Sequence, residues 1–227
     1  MTTVAEQIAI LKADLPVAVT LVAVSKTKPA IMIEEAYAAG QRDFGENYVQ
    51  ELVEKELMLP KDIRWHFIGH LQSNKVKFIA PFVHLIHAVD SVKLLIEIQK
   101  QALKCNRIID VLLQLHVAKE ETKFGWDVDE MLESAGPLFQ HSHVRIRGLM
   151  AMASNTEDTV QIAREFQHVK QVFEQLKQGI ASDHAGFDTL SMGMSGDWRI
   201  AVEHGSTMIR LGSTIFGQRN YATNTHE

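Results

Sequence analysis

The first residue with chemical potential is a lysine directly behind the first apolar run of the chain. Residues 19–25 are mostly apolar, and Lys26 follows them. Burial disfavours the charged ammonium form, so an amine at a low-dielectric strand end becomes a usable nucleophile that can form a Schiff base with an aldehyde. The alternative is a solvated lysine that closes the strand, and Lys28, next to Pro29, fits that plain role better.

A segment rich in glycine and serine, LSMGMSGDW at 190–198, has the composition of an anion-binding loop. Ser191 and Ser195 offer hydroxyls, and the two glycines allow the backbone to approach a ligand closely. A short helix beginning near Asp197 would add free N–H groups. The alternative is a flexible turn that binds nothing.

The last apolar segment, MIRLGSTIFG, places an arginine inside a strand. Arg210 should have a buried or site-facing partner, because arginine is rarely buried without one. Gly212 and Ser213 then present backbone N–H groups and a hydroxyl. Together with Ser195 they predict a phosphate cup behind the last two strands, where barrels often hold one. The alternative is an arginine in a structural ion pair.

The eleven histidines form no recognisable metal motif. His66 and His70 straddle a strand end, whereas His84 and His87 are three residues apart on a strand and are expected on opposite faces. Without a cysteine pair or a His-Glu-x-x-His pattern, we predict no metal site. Aromatic residues are sparse at 7% and are not interleaved with a basic stripe, so we also predict no nucleic-acid surface.

Composition and charge exclude several classes of protein. The 227 residues are 46% hydrophobic, which suffices for one sizeable core, and the formal net charge of −5 gives no global attraction to nucleic acid or an anionic membrane. No apolar run approaches the roughly 18 residues of a membrane span. The single cysteine, Cys105, excludes an internal disulfide, and the N-terminal segment resembles a short amphipathic helix more than a signal peptide. We therefore expect a cytoplasmic protein without a membrane partner.

Apolar runs alternate with helix-like stretches along the chain. The longest helical pattern runs from about 157 to 177, with apolar Val160, Phe166 and Phe173 at helical spacing. Every predicted strand but the last is followed by a helix, which indicates parallel βαβ units. The predicted strands are 19–25, 43–45, 63–69, 83–90, 108–117, 144–152, 189–195 and 207–213.

Eight such units in a chain of this length predict a (β/α)8 barrel, as a single domain over residues 1–227. A doubly wound open sheet would usually have fewer strands and a glycine fingerprint after the first, which is missing. The site of a barrel lies at the C-terminal ends of its strands, where the residues above all stand. An amine, a phosphate cup and a strand-buried arginine in one barrel mouth suit a phosphorylated aldehyde such as pyridoxal 5′-phosphate.

Six motifs resemble those of the YggS/PROSC family of pyridoxal-phosphate homeostasis proteins. The resemblance runs from about residue 17 to residue 221, and the motifs follow one another in the family's order. It implies a barrel similar to the N-terminal domain of alanine racemase, with pyridoxal phosphate as the cofactor. The motifs are LVAVSKTKP (21–29), FGENYVQE (44–51), WHFIGHLQSNK (65–75), GLMAM (148–152), LSMGMS (190–195) and GSTMIRLGSTIFG (205–217).

The resemblance also implies roles for particular residues. Lys26, the first lysine of SKTK, matches the lysine that holds the cofactor as a Schiff base, and Arg210 matches the arginine that faces the pyridine nitrogen. Lys123 matches a lysine near the cavity mouth, and Phe124 stands where a small residue is common. The family usually has threonine in place of Ser213, which keeps the hydroxyl. The matched phosphate contacts are Ser195, Gly212 and Ser213, while Ser191 and Asn47 match residues that line the site.

The residues favour a cofactor carrier over an enzyme. An arginine at the pyridine nitrogen disfavours ring protonation and weakens the electron sink. A two-base racemase also needs a second base, which alanine racemase takes from a tyrosine in the second domain of the partner subunit. We expect no second domain here. Tyr37 falls in a helix and Tyr221 lies in the tail, so Tyr48 is the tyrosine that is not excluded as the second base.

We therefore predict a monomeric, non-catalytic protein that binds pyridoxal phosphate, limits the free aldehyde and hands it to apo-enzymes. Two alternatives stay open at this point. One is a low-activity amino-acid racemase, and the other is a barrel that binds a different phosphorylated metabolite without using the Lys26 amine.

Overall fold

A closed barrel of eight parallel strands forms the centre of the computed structural model. The strands follow one another in sequence order, and β8 pairs with β1 to close the barrel. The predicted (β/α)8 architecture is confirmed. The structure describes residues 2–118, 125–179, 181–182, 184 and 186–218. The strands are β1 Thr20–Val24, β2 Asp43–Glu46, β3 Arg64–Phe67, β4 Leu85–Val89, β5 Ile109–Gln114, β6 Val144–Met150, β7 Thr189–Ser191 and β8 Met208–Leu211.

Helices follow the strands, and two of the longer ones have side-chain N-caps. Ser91 caps α5 by accepting the Leu94 N–H, and Asp158 caps α7 by accepting the Val160 and Gln161 N–H groups. Within the described ranges, no helix combines the length and the apolar character that crossing a membrane requires. The helices are α1 Val4–Asp14, α2 Ala30–Ala38, α3 Val49–Met58, α4 Val76–Ile79, α5 Val92–Lys104, α6 Val128–Leu138, α7 Thr159–Gln178, α8 Trp198–Glu203 and α9 Ser213–Phe216, with a 3-10 turn at Ser73–Lys75.

Apolar packing falls into two clusters of unequal size. The larger joins the outer faces of the strands to the helices, and α7 contributes Phe166, Val169 and Phe173 to it. Val160, which the sequence pattern placed on the same face, is exposed in the first turn of α7. The smaller cluster contains strand residues only, so it fills part of the barrel interior. Its members are Val22, Leu85, Ala88, Leu112, Met150 and Met208.

The last two strands are shorter than predicted, and this places two serines at the barrel mouth. Gly193 has φ of +94°, and a Cβ there would lie 2.7 Å from the Ala201 Cβ, so the segment behind β7 turns closely beneath α8. Ser195 consequently lies in the loop behind β7, and Ser213 lies in the first turn of α9. Both residues stand above the strands instead of inside them.

Gly148 in β6 should tolerate no side chain. Its φ is +150°, and a Cβ built there would lie 1.8 Å from the backbone oxygen of Thr189 in the neighbouring strand. Gly148→Ala should therefore lower the free energy of unfolding by about 2 kcal/mol or more, because backbone must move. Urea unfolding followed by tryptophan fluorescence measures this. Gly136→Ala is the control: nothing lies within 4 Å of the added methyl group, so stability should change by less than about 1 kcal/mol.

Candidate functional site

The C-terminal ends of the strands surround a cavity of about 360 Å³, a size that suits a small ligand. Most of the residues selected from the sequence meet here. Ser191 was expected to line the site, but it lies beneath Arg210, to which its hydroxyl is hydrogen-bonded. Lys123 and Phe124 lie outside the described residues. The predicted site residues that line the cavity are Lys26, Asn47, Ser195, Arg210, Gly212 and Ser213.

Lys26 stands on a tight turn directly behind β1. The Lys28 N–H donates to the Ser25 carbonyl at 3.0 Å, and Thr27 between them has φ of +62°, which is rare for a residue with a Cβ. The Lys28 side chain donates to the carbonyl oxygens of Phe216 and Gly217, both at 3.0 Å. The Lys28 side chain is thus hydrogen-bonded to the end of α9. Lys26 is half-buried and lines the cavity.

A buried ion cluster supports this turn, and the sequence reasoning missed it. Lys55 Nζ donates to Glu46 Oε1 at 2.7 Å, to Glu51 Oε1 at 2.6 Å and to the Ser25 carbonyl at 2.8 Å. Glu51 Oε1 also accepts the Thr27 N–H at 2.6 Å. Burial raises the pKa of Glu46 to about 7, against the opposing effect of the Lys55 ammonium. The i,i+4 spacing of Glu51 and Lys55 on α3 was the available signal.

Asn47 lines the cavity and carries an unsatisfied acceptor. Its Oδ1 is buried and has no hydrogen-bond partner among the described residues. Leaving a buried acceptor unpaired costs about 1–3 kcal/mol, so the site fits a ligand that carries a donor. On the opposite rim, Ser195 Oγ accepts the Thr214 N–H at 3.4 Å, and a Cβ on Gly212 would lie 3.3 Å from the Val24 carbonyl. Glycine therefore lets this rim approach β1 closely.

Arg210 forms the buried wall of the cavity and is only 4% exposed. Its Nη1 donates to the Ser191 carbonyl at 2.8 Å and to Ser191 Oγ at 2.5 Å, and its Nη2 donates to the Ala151 carbonyl at 3.0 Å. Burial lowers its pKa to about 10, against the charge of Asp197, so the guanidinium stays protonated at neutral pH. The predicted buried partner exists, but it is a set of neutral oxygens and not an ion pair.

The opposite end of the barrel carries a cluster of potential metal ligands. Asp43, His66 and His84 each place a ligand atom within 4.8 Å of the others. However, both carboxylate oxygens of Asp43 accept hydrogen bonds from Arg64, and His66 Nε2 lies 3.0 Å from Asp43 Oδ1. Burial alone would raise the pKa of Asp43, but the hydrogen bonds from His66 and Arg64 hold it well below its usual range. The Asp43 carboxylate is thus already hydrogen-bonded to Arg64 and His66.

The expectation that His84 and His87 occupy opposite faces of a strand is wrong. Both rings pack against His66, with centroid separations of 5.4 Å and 5.2 Å. His84 precedes β4, so the alternation of side chains along that strand does not apply to it. In addition, the pairing register of β4 shifts between Ile86 and Val89. His87 consequently points into the barrel interior, where its Nδ1 contacts Ser191 Oγ.

Acidification should destabilise the protein through His87. Complete burial lowers its pKa well below 6.5, and the nearby charge of Arg210 acts in the same direction. Below the unfolded pKa of 6.5, only the unfolded chain takes up this proton, so stability present at neutral pH is lost as the pH falls. At pH 5 the loss should approach about 2 kcal/mol for this residue. Urea unfolding of His87→Gln at several pH values should show a flatter slope, whereas His168→Gln, exposed on α7, should keep it.

A closed parallel barrel with an amine, a buried arginine and a glycine- and serine-rich rim at its mouth defines a ligand-binding (β/α)8 barrel. Residues 1–220 match the family described as alanine racemase, N-terminal domain. The pyridoxal phosphate homeostasis protein of Pasteurella multocida (strain Pm70) is 43% identical over 208 residues, which are 90% of this chain and 88% of the relative. That of Escherichia coli (strain K12) is 39% identical over 211 residues, covering 91% and 88%.

The solved structures agree with these relatives. PipY of Synechococcus elongatus PCC7942, in a structure with pyridoxal phosphate bound, matches with a TM-score of 0.88 at 38% identity, over 95% of this chain and 100% of that one. Alanine racemase from E. faecalis shares the fold alone: the TM-score is 0.68 at 15% identity, over 96% of this chain and 58% of that one. The chain belongs to the family of pyridoxal phosphate homeostasis proteins, which confirms the resemblance found in the sequence.

Proposed function

We propose that this protein binds pyridoxal 5′-phosphate reversibly through Lys26 and buffers or supplies it, without robust catalysis of its own. The observation that carries the proposal is the meeting of the Lys26 amine and the buried Arg210 guanidinium in one cavity. The cofactor supplies an aldehyde that condenses with a primary amine, losing water and forming a C=N bond. Lys26 is assigned this part because it follows β1 directly, lines the cavity and matches the Schiff-base lysine of the family. Lys28, which is also half-buried, donates to the Phe216 and Gly217 carbonyls.

The remaining lining residues suit the other parts of the cofactor. Arg210 would donate an N–H toward the pyridine nitrogen. Ser195, Gly212 and Ser213 would hold the phosphate with hydroxyls and backbone N–H groups at the rim. Asn47 Oδ1, which lacks a partner among the described residues, would accept a hydrogen bond from a ligand hydroxyl.

The character of the lining groups supports a carrier. The titratable side chains among the described lining residues are Lys26, Lys28 and Arg210, all of them cationic. Tyr48, the tyrosine that stayed open as a second base, lines a neighbouring groove, and the Tyr37 hydroxyl donates to Asp62 at 2.7 Å. Tyr221 lies outside the described residues. The proposal includes a monomer in the cytoplasm and apo-enzymes that depend on the cofactor as its partners.

The visible absorption spectrum of the purified protein with added pyridoxal phosphate tests the proposal. We expect a new band that borohydride removes, with the label mapped by mass spectrometry to the peptide containing Lys26. The loaded protein should then restore activity to an apo-enzyme. Absence of the band would overturn the assignment, and a protein that never releases the cofactor would contradict the carrier role.

A chiral amino-acid assay separates the carrier from the racemase alternative. We expect no turnover above the rate of free pyridoxal phosphate. Clear turnover by the wild type that disappears in Lys26→Ala would reverse the proposal in favour of a racemase.

A further inference from the structure

Five buried side chains form a continuous hydrogen-bonded network through the barrel interior. Arg210 Nη1 lies 2.5 Å from Ser191 Oγ, which lies 3.1 Å from His87 Nδ1. His87 Nε2 lies 2.9 Å from His66 Nδ1, and His66 Nε2 lies 3.0 Å from Asp43 Oδ1. We call these five residues the interior network. It runs from the cavity wall to the first residue of β2, at the opposite end of the barrel.

The two ends of the interior network favour one direction for the hydrogen bonds in it. Arg210 can only donate, and the ionised carboxylate of Asp43 can only accept. In that direction each group between them donates toward Asp43 and accepts from the side of Arg210. The Ser191 hydroxyl donates to His87 Nδ1, His87 Nε2–H donates to His66 Nδ1, and His66 Nε2–H donates to Asp43. Both histidines are then neutral and carry their proton on Nε2.

The opposite direction leaves buried groups unsatisfied. A proton on His87 Nδ1 would point at Ser191 Oγ, which already accepts from Arg210. The hydroxyl proton of Ser191 would then lack an acceptor among the contacts of the described residues. Buried polar groups without partners are rare in folded proteins, so the direction from Arg210 to Asp43 is favoured.

We infer that His87 is a positioning residue for Arg210, acting through the hydroxyl of Ser191. A serine hydroxyl rotates freely unless it donates a hydrogen bond to a fixed acceptor. His87 Nδ1 accepts a hydrogen bond from this hydroxyl, and the lone pairs of Ser191 Oγ therefore face the guanidinium. Together with the Ser191 and Ala151 carbonyls, this hydroxyl fixes the plane in which Arg210 meets a ligand. The inference rests on the proposed function, because the ligand that Arg210 meets is the pyridine ring.

The direction of the network can be tested without cofactor. Long-range ¹⁵N–¹H correlation NMR of the imidazole rings distinguishes the two neutral tautomers from the cation. At neutral pH we expect His66 and His87 both to be neutral with the proton on Nε2. A proton on His87 Nδ1, or a cationic ring at either position, would overturn the inference whether or not the protein binds pyridoxal phosphate.

Substitution of His87 tests its effect on ligand binding. His87→Leu should weaken pyridoxal phosphate binding roughly tenfold and shift the absorption maximum of the bound cofactor, because Ser191 loses its acceptor. The amount fixed on Lys26 by borohydride at saturation should not change. His87→Gln, which keeps one donor and one acceptor, should restore both the affinity and the spectrum. His84→Gln is the matched control, since its ring packs on His66 but lies outside the interior network.

The outcomes separate this inference from the proposed function. A wild-type protein that binds no pyridoxal phosphate contradicts the proposed function, while the NMR result still decides the tautomers. A wild type that binds, with His87→Leu equal to it in affinity and spectrum, overturns the positioning role. If His87→Leu does not fold, Ser191→Ala breaks the same link with a smaller change and should show the same weakening.

Discussion

Lys26→Ala should abolish covalent attachment of pyridoxal phosphate. The reason is that Lys26 lines the cavity directly behind β1 and is the lysine that the family resemblance assigns to the Schiff base. The other lining amine, Lys28, donates to the carbonyls at the end of α9. We expect the absorption band and the borohydride-fixed label to disappear completely. Residual binding should be noncovalent and at least about a hundredfold weaker, since the C=N bond is lost and only the anchors of Arg210 and the rim remain.

The control for this experiment is Lys93→Ala, an exposed lysine on α5. It should keep the spectrum, the label and the affinity of the wild type. The informative rival is Lys28, because its amine also lines the cavity. A label that moves to Lys28 in Lys26→Ala, or that maps there in the wild type, would contradict the assignment of the reactive amine. Equal labelling of Lys26→Ala and wild type would do the same.

Lys55→Met should strongly destabilise the protein and loosen the turn that carries Lys26. Lys55 is 5% exposed and donates to Glu46, Glu51 and the Ser25 carbonyl. Without Lys55, the Glu46 and Glu51 oxygens and the Ser25 carbonyl lose their shared donor, and breaking a buried pair in this way costs about 3–5 kcal/mol. We expect a loss of this size in the free energy of unfolding, measured by urea. Binding of pyridoxal phosphate should weaken as well, because the turn loses one of its anchors.

Two further variants show whether the charge of the cluster is responsible. Lys100→Met breaks an exposed pair with Glu97 on α5 and should change the stability by less than about 0.5 kcal/mol. The double variant Glu46→Gln/Lys55→Met should recover part of the loss, because a neutral amide at position 46 needs no counter-ion and brings its own donor. A Lys55→Met protein within about 1 kcal/mol of the wild type would contradict the role of the cluster.

The fold could be predicted from the sequence because its signals are local. Continuous apolar runs, each followed by a helical pattern, specify parallel strands buried on both faces. The chain closes them into a barrel in sequence order. The predicted strand ends were less accurate, since β7 ends at Ser191 and β8 at Leu211. The end of β7 depends on the turn at Gly193 and its contact with α8, which no local pattern reveals.

The site residues could be selected because a barrel gathers all its strand ends at one mouth. Lys26, Asn47, Ser195 and Arg210 accordingly line one cavity, although their separation in the sequence is large. Ser191 was also selected, but it is the last residue of β7 and its hydroxyl lies beneath Arg210, in contact with His87. Whether a strand residue faces the cavity or the interior depends on register, which composition does not determine.

The supporting groups could not be found in the sequence. His66 and His87 were considered only as metal ligands, and nothing local shows that His66 Nδ1 on β3 lies 2.9 Å from His87 Nε2 on β4. Glu46 and Lys55 likewise meet only because β2 and α3 pack together. The sequence by itself determined the barrel and the residues of its mouth, Lys26 among them, since these follow from periodicity and residue type. The tertiary structure alone decided which polar groups are buried together, because burial and hydrogen-bond partners depend on contacts between segments distant in the chain.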